Sequence, residues 1–309
     1  MRQTGPMSIQ PQPGLVYHYT SLFVMKEVLS KAQMWATDIG YMNDTTELKY
    51  GRDEFASRIR DLRENFGDVY ERKQERLEQQ LATDEVVLYS ENDLVEWTTL
   101  LSNFESNIRD STGGIQFALC FCKKPDLLSQ WRSYGAGGCA LGVETDNIVD
   151  KSVESVYESS AREVEYGVDR VDEVFRRYRD FLCDPDRRSS EVQERHGGLP
   201  VWGELQGDLA FIKHPDFREE EETRIVFGTN PVFMSVPPTS SGISYKVSGS
   251  GLLTPYIVVR IKLAAVKHIV IAPSRHQREN HSATYGLCST LGLDHIEVES
   301  SSTPFRGDA

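Results

Sequence analysis

Three short segments of the chain carry side chains suited to chemistry. The first, Tyr17-His18-Tyr19-Thr20-Ser21, sets an imidazole among hydroxyls. The second, Leu128-Ser129-Gln130-Trp131-Arg132-Ser133-Tyr134-Gly135, is crowded with groups that stack or hydrogen-bond. The third runs from Lys213-His214-Pro215 through Glu219-Glu220-Glu221-Glu222 to Arg224. Written as a strand, this last segment places Glu220, Glu222 and Arg224 on one face and Glu219 and Glu221 on the other. Adjacent carboxylates repel one another, which is tolerable if they are solvated or if one of them is used. Two readings stand side by side. In the plainer one the acids are a solvated strand start, with Arg224 paired to a carboxylate. In the other, a carboxylate sits at the rim of a cleft, accepts a sugar hydroxyl and stabilises oxocarbenium-like charge at an anomeric carbon.

Other chemistries lack their motifs. There is no GxxxxGK[ST] loop, no GxGxxG opening a helix, no GxSxG and no HExxH. Gly135 to Gly142 is glycine-rich but leads into a strand, so it lacks the helix N-terminus that holds phosphate. His276 and His281 would lie about 140° apart around a helix, a poor start for a shared metal. No metal is expected. A phosphodiester enzyme using Glu220 and Glu222 with Mg²⁺ would need further acids, of which Asp44 and Glu47 are the candidates.

Composition narrows the classes further. The 309 residues hold 34 Lys+Arg against 47 Asp+Glu, a formal charge of -13. Such a body repels phosphate backbones on average, which argues against indiscriminate nucleic-acid binding. No apolar run reaches the roughly 18–20 residues of a membrane-spanning helix. Met1 to Gly14 is polar and punctuated by Pro and Gly; a flexible terminus without a secretory core is expected. The five cysteines show no CxxC and read as reduced thiols of a cytoplasmic protein.

The positioning elements follow from periodicity. Val16 to Thr20 predicts a strand, and Thr20 or Ser21 caps a helix bearing Leu22, Met25, Val28 and Leu29. Met34 to Thr37 is a second strand. Phe55, Ile59, Leu62 and Phe66 form one helical stripe; Leu94, Trp97, Leu101, Phe104 and Ile108 form another. Ile115–Cys122, Cys139–Glu144, Thr223–Gly228, Tyr256–Leu263, His268–Ile271 and Ile296–Val298 read as strands. Val171, Val174, Tyr178 and Phe181 make a helical stripe, as do Trp202, Leu205, Leu209 and Ile212. Cys183–Pro200 and Asn230–Gly251 read as loops, and Gln277–Leu291 as a helix. Strands scattered along the chain with helices between them predict an α+β fold. One domain over 15–309 is expected, with helical insertions at about 46–110 and 150–213.

The strings HYTS, ATDIGYMND, CFCKKPDLLSQWRSYG, KHPxFxxExExR and STPFR closely resemble a widespread bacterial family known mainly as a domain of unknown function. The likeness runs from roughly Val16 to Arg306. More distantly, the order of elements resembles the ADP-ribosyltransferase superfamily of the diphtheria-toxin and poly-ADP-ribose-polymerase kind. That resemblance implies a split, mixed β-sheet core and NAD as substrate. It assigns His18 and Thr20 to the adenosine half of NAD, Tyr134 to stacking on nicotinamide, and Ser129 to a position often held by serine. Glu222, or alternatively Glu220, becomes the catalytic acid; Tyr19, Gln130 and Arg132 join the candidate binding residues. Tyr19 departs from the glycine of many members, as does Gln33. The resemblance implies a transferase, in a toxin or phage-defence role, with an unspecified acceptor. A non-catalytic module binding a nucleotide or peptide in the same cleft is the alternative.

Overall fold

The structure, a computed structural model, describes residues 9–42, 47–68, 70–71, 75, 91–109, 116–135, 137–149, 157–158, 161–183, 205–228, 242–247 and 251–304. Asp44, Trp202, most of Met1–Gly14, nearly all of the Cys183–Pro200 loop and most of Asn230–Gly251 lie outside these residues. In chain order the elements are β1 (Val16–Thr20), α1 (Leu22–Lys31), β2 (Gln33–Asp38), α2 (Glu47–Glu64), α3 (Glu91–Arg109), β3 (Gln116–Cys122), α4 (Leu128–Ser133) and β4 (Cys139–Val143). There follow β5 (Tyr157–Glu158), β6 (Arg162–Glu163), β7 (Glu165–Tyr166), α5 (Val168–Cys183), β8 (Ile212–Lys213) and β9 (Glu222–Gly228). The chain continues through β10 (Ile243–Val247), β11 (Leu253–Arg260), β12 (Val266–Ile271), α6 (Gln277–Thr290) and β13 (Glu297–Ser300). The fold is α+β with a mostly antiparallel mixed sheet. Among the described residues no helix is long and apolar enough to cross a membrane.

Two compact units divide the chain. The first comprises Met1–Asn43, Ile115–Val164 and Asp216–Ala309; the second comprises Asp44–Gly114 and Glu165–Pro215. The first holds the large sheet, ordered β10-β11-β2-β3-β1-β4-β12-β13, with β9 on β3 and both β5 and β6 on β9. Its pairings are antiparallel except β12 with β13. The segment 150–213 is therefore not wholly helical: β5 and β6 pair with β9 along its sequence, supplying hydrogen-bond partners that an edge strand would otherwise leave open. A second correction concerns the Asn230–Gly251 loop. Ile243–Val247 is a strand, because its alternating β-formers pair in register with β11, Val247 facing Leu253 and Ile243 facing Ile257. Ile212 likewise belongs to a strand rather than to a helical stripe.

Local chemistry accounts for the first turn. Ser21 caps α1 by accepting the Val24 N–H at 3.2 Å, and the helix ends on Ala32 in the left-handed region. Met25, Val28 and Leu29 of α1 and Cys288 of α6 pack with Phe117, Leu119, Phe121, Ile225 and Phe227 in one apolar cluster. Tyr17, Tyr19, Cys122, Ala140, Val270 and the α4 residue Trp131 form another. The glycine turn after α4 serves packing. A Cβ on Gly138 would stand 2.0 Å from the Thr20 carbonyl oxygen, so the turn crosses the end of β1 only with glycine. In the second unit, Phe55, Ile59, Trp97, Leu101, Val171, Val174, Leu205 and Leu209 form a separate core. Arg60, Arg63 and Arg109 all pair there with the buried Glu105.

Candidate functional site

The sheet opens between β1 and β2. Both strands pair with the same strand, β3, but over different stretches: β2 meets it at Phe117 and Ala118, β1 only at Cys122. Cys120 falls between these pairings, and its carbonyl oxygen is reached by His18 Nδ1 at 2.9 Å. A carbonyl only accepts, so the imidazole donates from Nδ1 and, when neutral, presents Nε2 as an acceptor. Burial lowers the pKa of His18; the Cys120 carbonyl opposes this and the charge of Lys246 adds to it. The ring also meets Phe121 edge-on, centroids 5.9 Å apart.

A small cavity of about 80 Å³ lies at this opening, lined by Tyr17, His18, Tyr19, Cys120, Phe121, Cys122, Gln130, Tyr134, Glu220 and Glu222. The sequence candidates His18, Tyr19, Gln130, Tyr134, Glu220 and Glu222 thus line one cavity. Thr20, Ser129 and Arg132 are not part of its lining. Thr20 is buried at the end of β1, Ser129 donates its hydroxyl to Glu219 at 3.2 Å, and Arg132 is exposed on α4. Sequence reasoning missed Tyr17, Cys120, Phe121 and Cys122 as wall residues. The alternation of β3 against β1 was the available signal, since Cys122 faces Tyr17 across the ladder.

Tyr19 lines the wall, but its hydroxyl serves the backbone. It donates to the Lys124 carbonyl at 2.7 Å and accepts the Leu127 N–H at 3.0 Å, and the ring packs edge-on against Trp131 at 4.6 Å. Burial pushes its phenol pKa upward. Tyr19→Phe is expected to lower stability by about 2 kcal/mol through two lost hydrogen bonds, without weakening a ligand in the cavity. Urea unfolding beside a binding titration checks both parts.

The acidic segment is not a strand throughout. Pro215–Glu220 is a 3₁₀ turn, Glu221 takes the left-handed region at φ 42°, and the strand begins at Glu222. The expectation that Glu220 shares a strand face with Glu222 is corrected by this break. It also disperses the four carboxylates. Glu219 takes the Ser129 hydroxyl, Glu221 pairs with Lys124 at 2.5 Å, and Glu222 turns to Arg224. Glu222 is held on both edges: it faces Cys122 across β3, and its carbonyl accepts the Val164 N–H at 2.9 Å.

The Glu222–Arg224 pair dominates this wall. Arg224 Nε donates to Glu222 Oε1 at 2.7 Å and Nη2 to Oε2 at 2.8 Å. The guanidinium is 0% exposed and the Glu222 residue 7%. Spacing i, i+2 on β9 puts both side chains on one face, and the planar fork matches a carboxylate bidentately. Glu222 is thereby ionised and fixed in orientation. The Cys122 thiol opposite is pushed up to about 11 by burial, against the Lys124 N–H and with the charges of Glu221 and Glu220, so it stays protonated at neutral pH. Tyr134 ends α4 at the cavity, 42% exposed. Among the described residues no group of three or more His, Cys, Asp or Glu is placed to hold a metal ion.

Asp126 organises the helix that carries Gln130 and leads to Tyr134. Its carboxylate accepts from Trp131 Nε1 at 2.7 Å, Ser301 Oγ at 2.5 Å, the Ser302 N–H at 2.9 Å and Thr303 Oγ1 at 2.8 Å. The Ser301–Thr303 segment, including the Ser-Thr of the STPFR string, therefore anchors the cavity wall.

No curated protein and no solved structure matches the chain. A domain of the family described as a protein of unknown function (DUF2971) is found at residues 130–225, the stretch that supplies Gln130, Tyr134, Glu220 and Glu222.

Proposed function

We propose that the protein is an NAD-dependent ADP-ribosyltransferase working in this cavity. The observation that carries the reading is that His18, Tyr134, Glu220 and Glu222, from three distant segments, line one cavity. The reaction breaks the bond between the nicotinamide nitrogen and the ribose C1′. The electron pair leaves with nicotinamide, whose ring becomes neutral, and positive charge develops on the ribose. Glu222, ionised and held by Arg224, stabilises that charge. An acceptor nucleophile then bonds to C1′ and loses its proton. Tyr134 stacks on the nicotinamide ring, and His18 Nε2 accepts a ribose hydroxyl. Glu220 is the alternative acid.

A second reading, a binding module without turnover, is favoured by one specific feature. Both carboxylate oxygens of Glu222 are engaged by Arg224, an arrangement that a purely structural pair also satisfies. NAD labelled in its nicotinamide ring separates the two. Release of labelled nicotinamide, with transfer of an adenine label to lysate components or to water, supports the enzyme. A saturable thermal shift without release leaves the module. Absence of both binding and release overturns both.

A further inference from the structure

Lys246 sits on β10 in a setting unlike the paired lysines of the same unit. Lys31, Lys123 and Lys124 are more exposed, and each holds a glutamate. Lys246 is half-buried, and burial lowers its pKa, yet among the described residues no carboxylate pairs with it. Its Nζ donates to Thr37 Oγ1 at 3.1 Å and stands 5.7 Å from the ring centroids of both Trp35 and Tyr256. The two rings lie 5.2 Å apart, tilted by 41°. Sheet register brings these groups together: Tyr256 faces Thr37 across β11 and β2, and Lys246 faces Thr254 on β11. Aromatic faces attract an ammonium, but they do not neutralise it. Burying a cation without an anion is costly, and it stands out in a chain with 47 acids against 34 bases.

Register carries Lys246 toward the cavity: its partner Thr37 faces Ala118 across β2 and β3, two residues before the cavity-lining Cys120; in the same direction, its charge is among the causes that lower the His18 pKa. At about 80 Å³ the cavity is well below ligand pockets, which run about 300–1,000 Å³. A dinucleotide has to extend past its rim.

We propose that Lys246, braced by Thr37, Trp35 and Tyr256, is an anion-binding subsite beside the cavity that takes the phosphate or diphosphate of a nucleotide. This deepens, and rests on, the reading of the cavity as a nucleotide site. Lysine recognises phosphate as a compact point charge, and the ligand supplies the counter-charge that the described side chains do not.

The test uses inorganic pyrophosphate with the whole protein, so it does not depend on any reaction of NAD. NMR follows the His18 imidazole titration and the Lys246 Nζ resonance. In the wild type, pyrophosphate is expected to shift the Nζ resonance and to raise the His18 pKa, because the bound anion offsets the lysine charge. Lys246→Gln raises the His18 pKa without any anion and abolishes the further response, whereas Lys246→Arg keeps it. Lys246→Gln also weakens ADP-ribose about tenfold or more while nicotinamide binding is unchanged. A wild type indifferent to pyrophosphate, or a Lys246→Gln variant that responds equally, overturns the proposal. Nicotinamide release from NAD reports separately: a pyrophosphate response without release leaves the subsite standing and removes the transferase. Release without a pyrophosphate response does the reverse.

Discussion

Replacing Glu222 with alanine is expected to lower the unfolding free energy by about 3–5 kcal/mol, the usual cost of stripping one partner from a buried ion pair. From the sequence this residue looks like a strand-rim acid whose removal would spare the fold. The structure overturns that expectation. Arg224 is 0% exposed and donates two hydrogen bonds to the Glu222 carboxylate; alanine leaves a guanidinium charge inside the protein. The double replacement Glu222→Leu with Arg224→Met removes both charges and is expected to recover most of the loss, because a buried pair contributes little beyond an apolar equivalent. Urea unfolding of wild type, Glu222→Leu, Arg224→Met and the double variant forms a cycle that checks this. A Glu222→Ala loss below about 1 kcal/mol would mean the pair is solvated and the geometry above is wrong. The same coupling governs how activity is read. Loss of turnover in Glu222→Ala alone does not identify a catalytic acid, since the site partly unfolds with it. The isosteric Glu222→Gln, compared with Glu220→Gln at matched unfolding midpoints, assigns the role.

Asp126→Ala is the second large effect, about 3–4 kcal/mol. Its carboxylate takes hydrogen bonds from the fully buried Trp131 and from Ser301, Ser302 and Thr303. Bonds to a charged acceptor each contribute about 1.5–3 kcal/mol, and an orphaned buried donor costs about 1–3; solvent replaces some of the exposed partners. The pH dependence has a definite sign. Burial alone would raise the pKa of Asp126, but the Ser301, Trp131, Thr303 and Ser302 bonds bring it below the ordinary aspartate value. A carboxylate depressed on folding contributes stability that is fully present above the unfolded pKa near about 3.9. That contribution is lost as pH falls through the folded value. Urea unfolding of wild type and Asp126→Asn is therefore expected to differ at pH 6 and to converge in acid. Parallel curves throughout would remove Asp126 as the anchor of α4. Because α4 carries Gln130 and leads to Tyr134, ligand binding in the cavity is expected to weaken along with stability.

How far the sequence reaches depends on the range of the interaction. Strand alternation was enough to raise the pairing of Arg224 with a carboxylate, though not to name Glu222, because alternation is local geometry. Ser21 as cap, the α1 stripe at Met25, Val28 and Leu29, and β3 as a buried strand are local in the same sense. Where a turn intervened, local pattern misled: the left-handed Glu221 breaks the face that joined Glu220 to Glu222, and alternation cannot register one reversed φ. β10 was hidden in a Ser- and Gly-rich stretch because five residues of weak pattern become a strand only against β11.

The sequence by itself determined the α+β character, the α1 stripe and the Phe55-to-Phe66 stripe, and the three chemistry-bearing segments, since these follow from side-chain periodicity and type along a few turns of chain. Only the tertiary structure decided that His18, Tyr134, Glu220 and Glu222 line one cavity. It alone tied Asp126 to Ser301 and set Lys246 beside two aromatic rings with no acid paired to it among the described residues. These links cross as many as 211 positions, from Trp35 to Lys246, and sheet order and register, which the whole core selects together, bring such distant residues into reach.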